Sequence, residues 1–190
     1  MIKNDSGTIP VADFIVHNLD SAVLFPQPYR GRGTPVSWLV EEHKNVSIAS
    51  CEGRIVWVGP AADLTQNVEI AEDTKFFNGS GLLAVPGFVD SHTHLVYAGD
   101  RSDEFEMRVQ GRSYLDILAA GGGILRTTSA IRNLSEDDIF VRSAERLELV
   151  MKTGVSTIEI KTGYGLDLDN EMKMLRVIDR LRNAYPARIV

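Results

Sequence analysis

The sequence lacks the features that mark secreted, membrane-spanning or nucleic-acid-binding proteins. Its single cysteine, Cys51, excludes an internal disulfide and is typical of a reducing compartment. No apolar run approaches the roughly 20 residues that a membrane helix needs, and the N-terminal stretch has no continuous apolar core of the kind found in secretion signals. Basic residues are dispersed and outnumbered, with a formal net charge of −6, which argues against a nucleic-acid or anionic membrane surface. We therefore expect a cytoplasmic protein.

Before residue 84 the sequence alternates between strand-like runs and turn signals. The composition, 44% hydrophobic and 24% charged over 190 residues, is enough for a sizeable core. The pair Glu52-Gly53 between two β-branched runs predicts a tight hairpin turn. We predict a small β-rich composite sandwich domain over residues 1–83. Its predicted segments are strands over 12–25 and around 75–87, a hairpin over 46–59, and a Pro/Gly-rich loop over 26–35.

After Pro86 the pattern changes to strands that alternate with amphipathic helices. Helices are predicted over 111–123, over 135–154 with Ser135 as N-cap, and over 170–186, with a β-branched strand over 155–165. This order implies a parallel sheet with crossover helices, either an open α/β fold or a (β/α) barrel. Residues 84–190 are too few for a complete (β/α)8 barrel, which takes roughly 250 residues. The fold class is therefore α/β, and a barrel would be present only as its first two to three βα units.

The stretch VPGFVDSHTHLVYAGDR, residues 85–101, contains two histidines that suit metal binding. His92 and His94 lie two residues apart, so an extended backbone sends both side chains to the same face. Neutral imidazole is the commonest metal-ligating group. For an isolated pair, two half-buried surface histidines are the simpler interpretation, since two ligands do not complete a tetrahedral site. His17 and His43 have no spacing that would complete it.

The wider sequence around the histidines carries a family resemblance. Pro-Gly-Phe-Val-Asp-Ser-His-Thr-His resembles the first-strand signature of the amidohydrolase superfamily, whose members begin with a small β-sandwich and continue into a metal-bearing barrel. HLVYAGDRSDEFEMRVQGRSY (94–114), AAGGGI (119–124) and EIKTGYGLD (159–167) together resemble the imidazolonepropionase family. The resemblance covers essentially everything from Val85 onward and is weaker over the N-terminal part.

This resemblance implies hydrolysis of the cyclic amide 4-imidazolone-5-propanoate to N-formimidoyl-L-glutamate in histidine degradation. It implies one zinc or iron ion, bound by His92 and His94 together with a later histidine and a later aspartate. It also implies that Arg101 and Tyr164 bind the substrate. The remaining ligands and the acid/base residues are expected beyond Val190, so we expect the chain alone to be inactive. No nucleic acid or membrane is expected as a partner, and homodimerisation of the full-length protein stays open.

The chemistry of the two predicted substrate-binding residues agrees with these roles. A guanidinium such as that of Arg101 can hold a carboxylate in a bidentate fork that lysine cannot reproduce. The alternative is a solvated surface arginine paired with Asp100 or Asp103. Tyr164 lies between two glycines just past a predicted strand, where its hydroxyl could donate at the rim of a site. Its alternative is an aromatic lid over core residues.

Two other functions compete with this interpretation. Another amidohydrolase, such as a cytosine-type deaminase or a dihydropyrimidinase-like cyclic amidase, would share the His-x-His pair but would not need a carboxylate-binding arginine. A non-catalytic α/β binding module would need no stoichiometric metal. The glycine run 121–123 does not predict a phosphate-binding loop, because no lysine and Ser/Thr pair follows in the required frame.

Overall fold

The computed structural model describes residues 8–25 and 40–190, and the chain divides into two compact units, Met1–Pro86 and Gly87–Val190. The loop predicted over 26–35 lies outside the described residues. Each unit has an apolar core of its own. Within the described ranges, no helix has both the length and the apolar character that a bilayer crossing requires.

The first unit contains one five-stranded mixed sheet. The strand order is β3-β2-β1-β4. Strand β5 pairs with Ser21 and Ala22 of β1, further along that strand than the part that pairs with β4. Strand β2 is antiparallel to β1 and β3, whereas β4 and β5 run parallel to β1. A single 3₁₀ turn and a four-residue helix join β3 to β4. The elements are β1 (Val11–Leu24), β2 (Glu41–Cys51), β3 (Arg54–Pro60), α1 (Leu64–Asn67), β4 (Glu69–Asn78) and β5 (Leu83–Ala84).

The predicted hairpin is confirmed, and its turn shows why the sequence forms it. Glu52 and Gly53 both have positive φ, 50° and 72°, as the two-residue turn that matches strand twist requires. Asp13 on β1 accepts a hydrogen bond from the backbone N–H of Glu52 at 2.6 Å, which holds the strained residue. Trp57, on the second strand of the hairpin, is 2% exposed and packs in the core with Ile15. The described strands of the first unit form a single sheet, so the sandwich stays a prediction.

The second unit is built on a parallel three-stranded sheet in the order β6-β7-β8. Four helices connect β6 to β7 and one connects β7 to β8, so the predicted parallel sheet with crossover helices is confirmed. Closure into a barrel stays a prediction. The elements are β6 (Phe88–Thr93), α2 (Ser102–Val109), α3 (Tyr114–Ala119), α4 (Ile124–Asn133), α5 (Glu136–Lys152), β7 (Val155–Ile160), α6 (Leu168–Ala184) and β8 (Arg188–Ile189).

Local signals set the ends of the long helices. Ser135 caps α5 as predicted, because its Oγ accepts a hydrogen bond from the Asp138 N–H at 3.1 Å. Gly154, at a φ of 91°, ends the same helix. Helices α5 and α6 bury apolar faces around Leu147 and Met174, both at 0% exposure. Helices α2 and α4 were not predicted. The second of these starts after Gly123 without any side-chain cap, so it has no N-terminal signature in the sequence.

Candidate active site

The end of β6 brings the two predicted metal ligands together. His92 lies within the strand and His94 directly follows it, and their ring centroids are 5.4 Å apart. The backbone N–H of His92 donates to Oδ1 of Asp90 at 3.1 Å, which fixes the main chain just before the pair. The two imidazoles therefore lie side by side at the carboxyl end of a parallel strand, the edge where barrel enzymes carry their active sites.

The environment of His94 fits a metal ligand. Its Nδ1 is buried and has no hydrogen-bond partner in the described part of the chain. A buried polar atom without a partner is costly, so a ligand that engages the ring would remove that cost. No group of three or more His, Cys, Asp or Glu side chains that could hold a metal occurs among the described residues. The described chain thus supplies a pair of candidate ligands rather than a closed coordination sphere.

A cavity of about 590 Å³ opens beside His94, in the size range of small-molecule sites. It contains three of the four predicted site residues, His94, Arg101 and Tyr164. His92 is not part of the lining, although its ring neighbours that of His94. The cavity is lined by His94, Tyr97, Gly99, Asp100, Arg101, Ser102, Thr127, Arg146 and Tyr164.

Arg101 is held by a carboxylate that the sequence did not single out. Its Nε and Nη2 donate to Oε2 of Glu104 at 2.9 and 2.7 Å, and Glu104 is only 5% exposed. This hydrogen bond lowers the pKa of Glu104 and raises that of Arg101. The predicted alternative pairing is wrong, because Asp100 accepts from the backbone N–H of Ser102 and Asp103 pairs with another arginine, on α4.

Tyr164 follows β7, and its ring lies against that of His94. Its ring centroid is 5.3 Å from that of His94, and it also packs against the core of the second unit. Glu171 fixes its loop, because Oε1 accepts hydrogen bonds from the backbone N–H groups of Gly165 and Leu166 at 2.8 and 3.0 Å. Tyr164 therefore combines the predicted place at the site with the predicted alternative of covering core residues.

Arg146 on α5 is a second cavity residue that the sequence analysis missed. Its Nη1 and Nη2 donate to the carbonyl oxygens of Leu95 and Tyr97, each at 2.8 Å. Its guanidinium carbon lies 3.7 Å from the centroid of the Tyr97 ring, a close cation–π contact. Burial lowers the pKa of Arg146. These contacts tie α5 to the segment between His94 and Arg101, and no local pattern around Arg146 signals them.

Similarity to known proteins agrees with this geometry. No protein-family model matches the chain. An imidazolonepropionase from Pseudomonas savastanoi pv. phaseolicola is 44% identical over 146 residues, which is 77% of this chain and 35% of that protein. One from Haloarcula marismortui is 37% identical over 178 residues, 94% of this chain and 41% of that protein. One from Shewanella loihica is 46% identical over 137 residues, which is 72% of this chain and 33% of that protein. The chain therefore spans between a third and two fifths of the curated relatives it matches.

Solved structures with the same fold include Escherichia coli guanine deaminase, with a TM-score of 0.62, 15% identity, and coverage of 92% of this chain and 36% of that one. A triazine hydrolase variant has a TM-score of 0.61 and 16% identity, and the match covers 93% of this chain and 34% of that one. An adenosine deaminase from Xanthomonas campestris with bound zinc has a TM-score of 0.53 and 13% identity, and the match covers 96% of this chain and 34% of that one. These likenesses confirm the mixed α/β fold class. The chain is thus a homologue of imidazolonepropionases that corresponds to only part of their length.

Proposed function

We propose that the chain carries the His-x-His metal site and part of the substrate site of a metal-dependent imidazolonepropionase. The reaction is hydrolysis of the cyclic amide 4-imidazolone-5-propanoate to N-formimidoyl-L-glutamate, a step of histidine degradation. The observation that carries the proposal is that a single cavity gathers His94, Arg101 and Tyr164, with the ring of His92 beside that of His94. Identities of 37–46% to curated imidazolonepropionases support it.

In this proposal, His92 and His94 hold one zinc or iron ion together with a histidine and an aspartate supplied from outside these 190 residues. Imidazole suits both metals, and the zinc in the adenosine deaminase of the same fold supports a metal here. A bound metal would supply polarisation of the substrate carbonyl and an acidified water. The buried Nδ1 of His94, which has no hydrogen-bond partner among the described residues, supports this role.

The chain's own residues would position the substrate. Arg101 lines the cavity, and its guanidinium can grip the propionate in a bidentate fork. Tyr164 can donate its hydroxyl to the substrate from the loop after β7, with its ring against that of His94. Holding both ends of the substrate converts the attack into an effectively unimolecular step. The general base lies among residues that this chain does not supply.

We further propose the domain assignment of the full-length enzyme. Residues 1–83 form part of the composite β-sandwich, and residues 84–190 form the first two to three βα units of the (β/α)8 barrel. The parallel order β6-β7-β8 with crossover helices supports the second assignment. The partner is the small-molecule substrate, the compartment is the cytoplasm, and the chain is inactive by itself because the coordination sphere needs further ligands.

A graft tests the proposal. This chain replaces the matching third of the Pseudomonas savastanoi relative, and the hybrid is assayed for hydrolysis of 4-imidazolone-5-propanoate and for metal content. We expect turnover and near-stoichiometric metal. Arg101→Ala lowers kcat/KM roughly 100-fold, as the loss of a charged hydrogen-bonded pair predicts. Arg112→Ala, an exposed arginine nearby, is the matched control.

The outcomes separate the competing functions. In the hybrid, His92→Ala or His94→Ala should remove the metal and the activity together. A folded hybrid that binds metal but hydrolyses other cyclic amides or deaminates instead, with no sensitivity to Arg101→Ala, would favour a different amidohydrolase. A folded hybrid without metal and without turnover would favour a binding module.

A further inference from the structure

We propose that Glu104 is a positioning residue that orients Arg101 for a carboxylate ligand. The inference deepens the proposed function and rests on it for the identity of that ligand. Glu104 lies on α2, three residues after Arg101, and its side chain is buried while those of its helix neighbours Asp103 and Glu106 are exposed. It does not line the cavity itself, so its effect on a ligand must act through Arg101.

The contact selects which edge of the guanidinium remains available. A guanidinium has five N–H donors in a rigid planar fork. Oε2 of Glu104 accepts from Nε and from Nη2, which together form the side edge of Arg101. The donors that this contact does not use lie at the other end, on Nη1 and Nη2. Because the arginine lines the cavity, this end can take the two oxygens of a carboxylate.

Glu104 is itself fixed on its other oxygen. Its Oε1 accepts a hydrogen bond from the backbone N–H of Gly123 at 2.9 Å. The approach is close, because a Cβ added at Gly122 would lie 2.9 Å from Oε1 of Glu104 and 2.7 Å from Cγ2 of Ile117. The glycine run 121–123 therefore lets the main chain reach the carboxylate. One carboxyl group thus bridges the arginine and the start of α4, and the arginine cannot rotate without breaking two charge-assisted hydrogen bonds.

The carboxylate stays charged in this place. The hydrogen bond from Arg101 lowers the pKa of Glu104, and the amide of Gly123 adds to the effect, against the opposing influence of burial. A buried carboxylate that lost its arginine would be strongly unfavourable. Each side chain of the pair therefore stabilises the charge and position of the other. Arg101 has one preferred orientation before any ligand arrives, which reduces the entropy cost of binding.

The first experiment follows the Nε–H of Arg101 by NMR in the 190-residue chain, with Arg101→Lys to assign the signal. We expect a resolved, slowly exchanging Nε–H in the wild type, lost in Glu104→Gln and retained in Glu106→Gln. Retention of the signal in Glu104→Gln overturns the inference. If Glu104→Gln does not fold, the wild-type spectrum decides, since an Arg101 Nε–H that exchanges as fast as that of the exposed Arg112 also overturns it.

The second experiment titrates the same chain with 3-(imidazol-4-yl)propanoate, and with imidazole as the probe that lacks the carboxylate. Glu104→Gln should weaken binding of the first probe about tenfold, the equivalent of roughly 1.4 kcal/mol, and leave imidazole binding unchanged. Glu106→Gln should change neither affinity. In an Arg101→Ala background, Glu104→Gln should have no further effect, because a positioning residue needs the residue it positions.

The outcomes distinguish this inference from the proposed function. If Arg101→Ala weakens the carboxylate probe but Glu104→Gln does not, the inference is wrong and the proposed function stands. An equal loss from Glu104→Gln with and without Arg101 indicates a merely structural role and also overturns it. If Arg101→Ala leaves the affinity unchanged, the proposed role of Arg101 fails, and the Nε–H signal alone decides whether Glu104 fixes the arginine.

Discussion

The two loops that carry Arg101 and Tyr164 both follow carboxyl ends of adjacent parallel strands, but glutamate carboxylates hold them in different ways. In the loop after β6, Glu104 binds the side chain of Arg101. In the loop after β7, Glu171 binds the main chain by accepting hydrogen bonds from the N–H groups of Gly165 and Leu166. One carboxylate therefore fixes a functional group, and the other fixes the path of the backbone.

This difference predicts where substitutions act. Substitution of Glu104 should change ligand binding more than stability, because Arg146 also holds the main chain of the first loop through Leu95 and Tyr97. Disturbing the second loop should change stability first, because Leu166 is held at a positive φ of 55° that a non-glycine residue adopts only under constraint. The predictions below test this contrast, from the largest expected effect to the smallest.

Among the substitutions that test this contrast, Gly165→Ala should have the largest effect on stability. Its new Cβ would lie 2.6 Å from the backbone N of Glu171 and 2.7 Å from the carbonyl carbon of Asn170, both main-chain atoms of α6 that cannot move alone. We expect a loss of about 3 kcal/mol in the free energy of unfolding, measured by urea denaturation. The control is Gly121→Ala, where the Cβ meets nothing within 4 Å and only the positive φ costs about 1 kcal/mol. Equal losses would remove the steric argument.

Glu171→Ala should come next, because it leaves two loop amides without their acceptor. We expect a loss of about 2 kcal/mol in unfolding free energy and faster hydrogen exchange at Gly165 and Leu166. Glu145→Ala, at an exposed glutamate on α5, provides a control for generic helix effects. Unchanged exchange at the two amides would show that the loop does not depend on the carboxylate, and the contrast between the loops would disappear.

The pH dependence should follow the same carboxylates. Burial opposes ionisation of Glu171, but hydrogen bonds from the loop amides and from the Thr162 hydroxyl lower its pKa overall, as the arginine does for Glu104. A carboxylate whose pKa is lower in the folded state stabilises the fold fully at pH values above its ordinary pKa of about 4.3. This stabilisation is lost as the pH falls through the folded-state pKa. The difference in unfolding free energy between wild type and Glu171→Gln should therefore stay constant near neutrality and shrink on acidification. A difference that grows in acid would contradict this assignment.

Arg146→Lys should have the smallest effect on stability and a local effect on the first loop. Lysine cannot donate to two carbonyl oxygens in a planar fork or stack on the Tyr97 ring in the same way. We expect a loss of about 1 kcal/mol, with Arg142→Lys on the exposed face of α5 as the matched control. Equal effects of the two substitutions would show that the hydrogen bonds from Arg146 to Leu95 and Tyr97 do not stabilise the loop.

The parts of the structure that follow from short-range chemistry were predictable from the sequence. The Glu52-Gly53 turn, the Ser135 cap and the convergence of His92 and His94 each depend on residues a few positions apart. The support of the site was not predictable. In the segment SDEFEMRV nothing distinguishes buried Glu104 from its acidic neighbours, because burial arises from packing against the glycine run 19 residues later. Arg146 likewise meets its partners 49 and 51 residues away.

The position of Trp57 in the core of the first unit has a practical consequence for spectroscopy. Both tryptophans of the sequence precede Pro86, whereas four of the five tyrosines follow it. Fluorescence excited selectively in indole therefore reports on the first unit, and tyrosine absorbance reports mainly on the second. Melting curves recorded with the two chromophores coincide if the halves of the chain lose structure cooperatively, and separate if they do so independently.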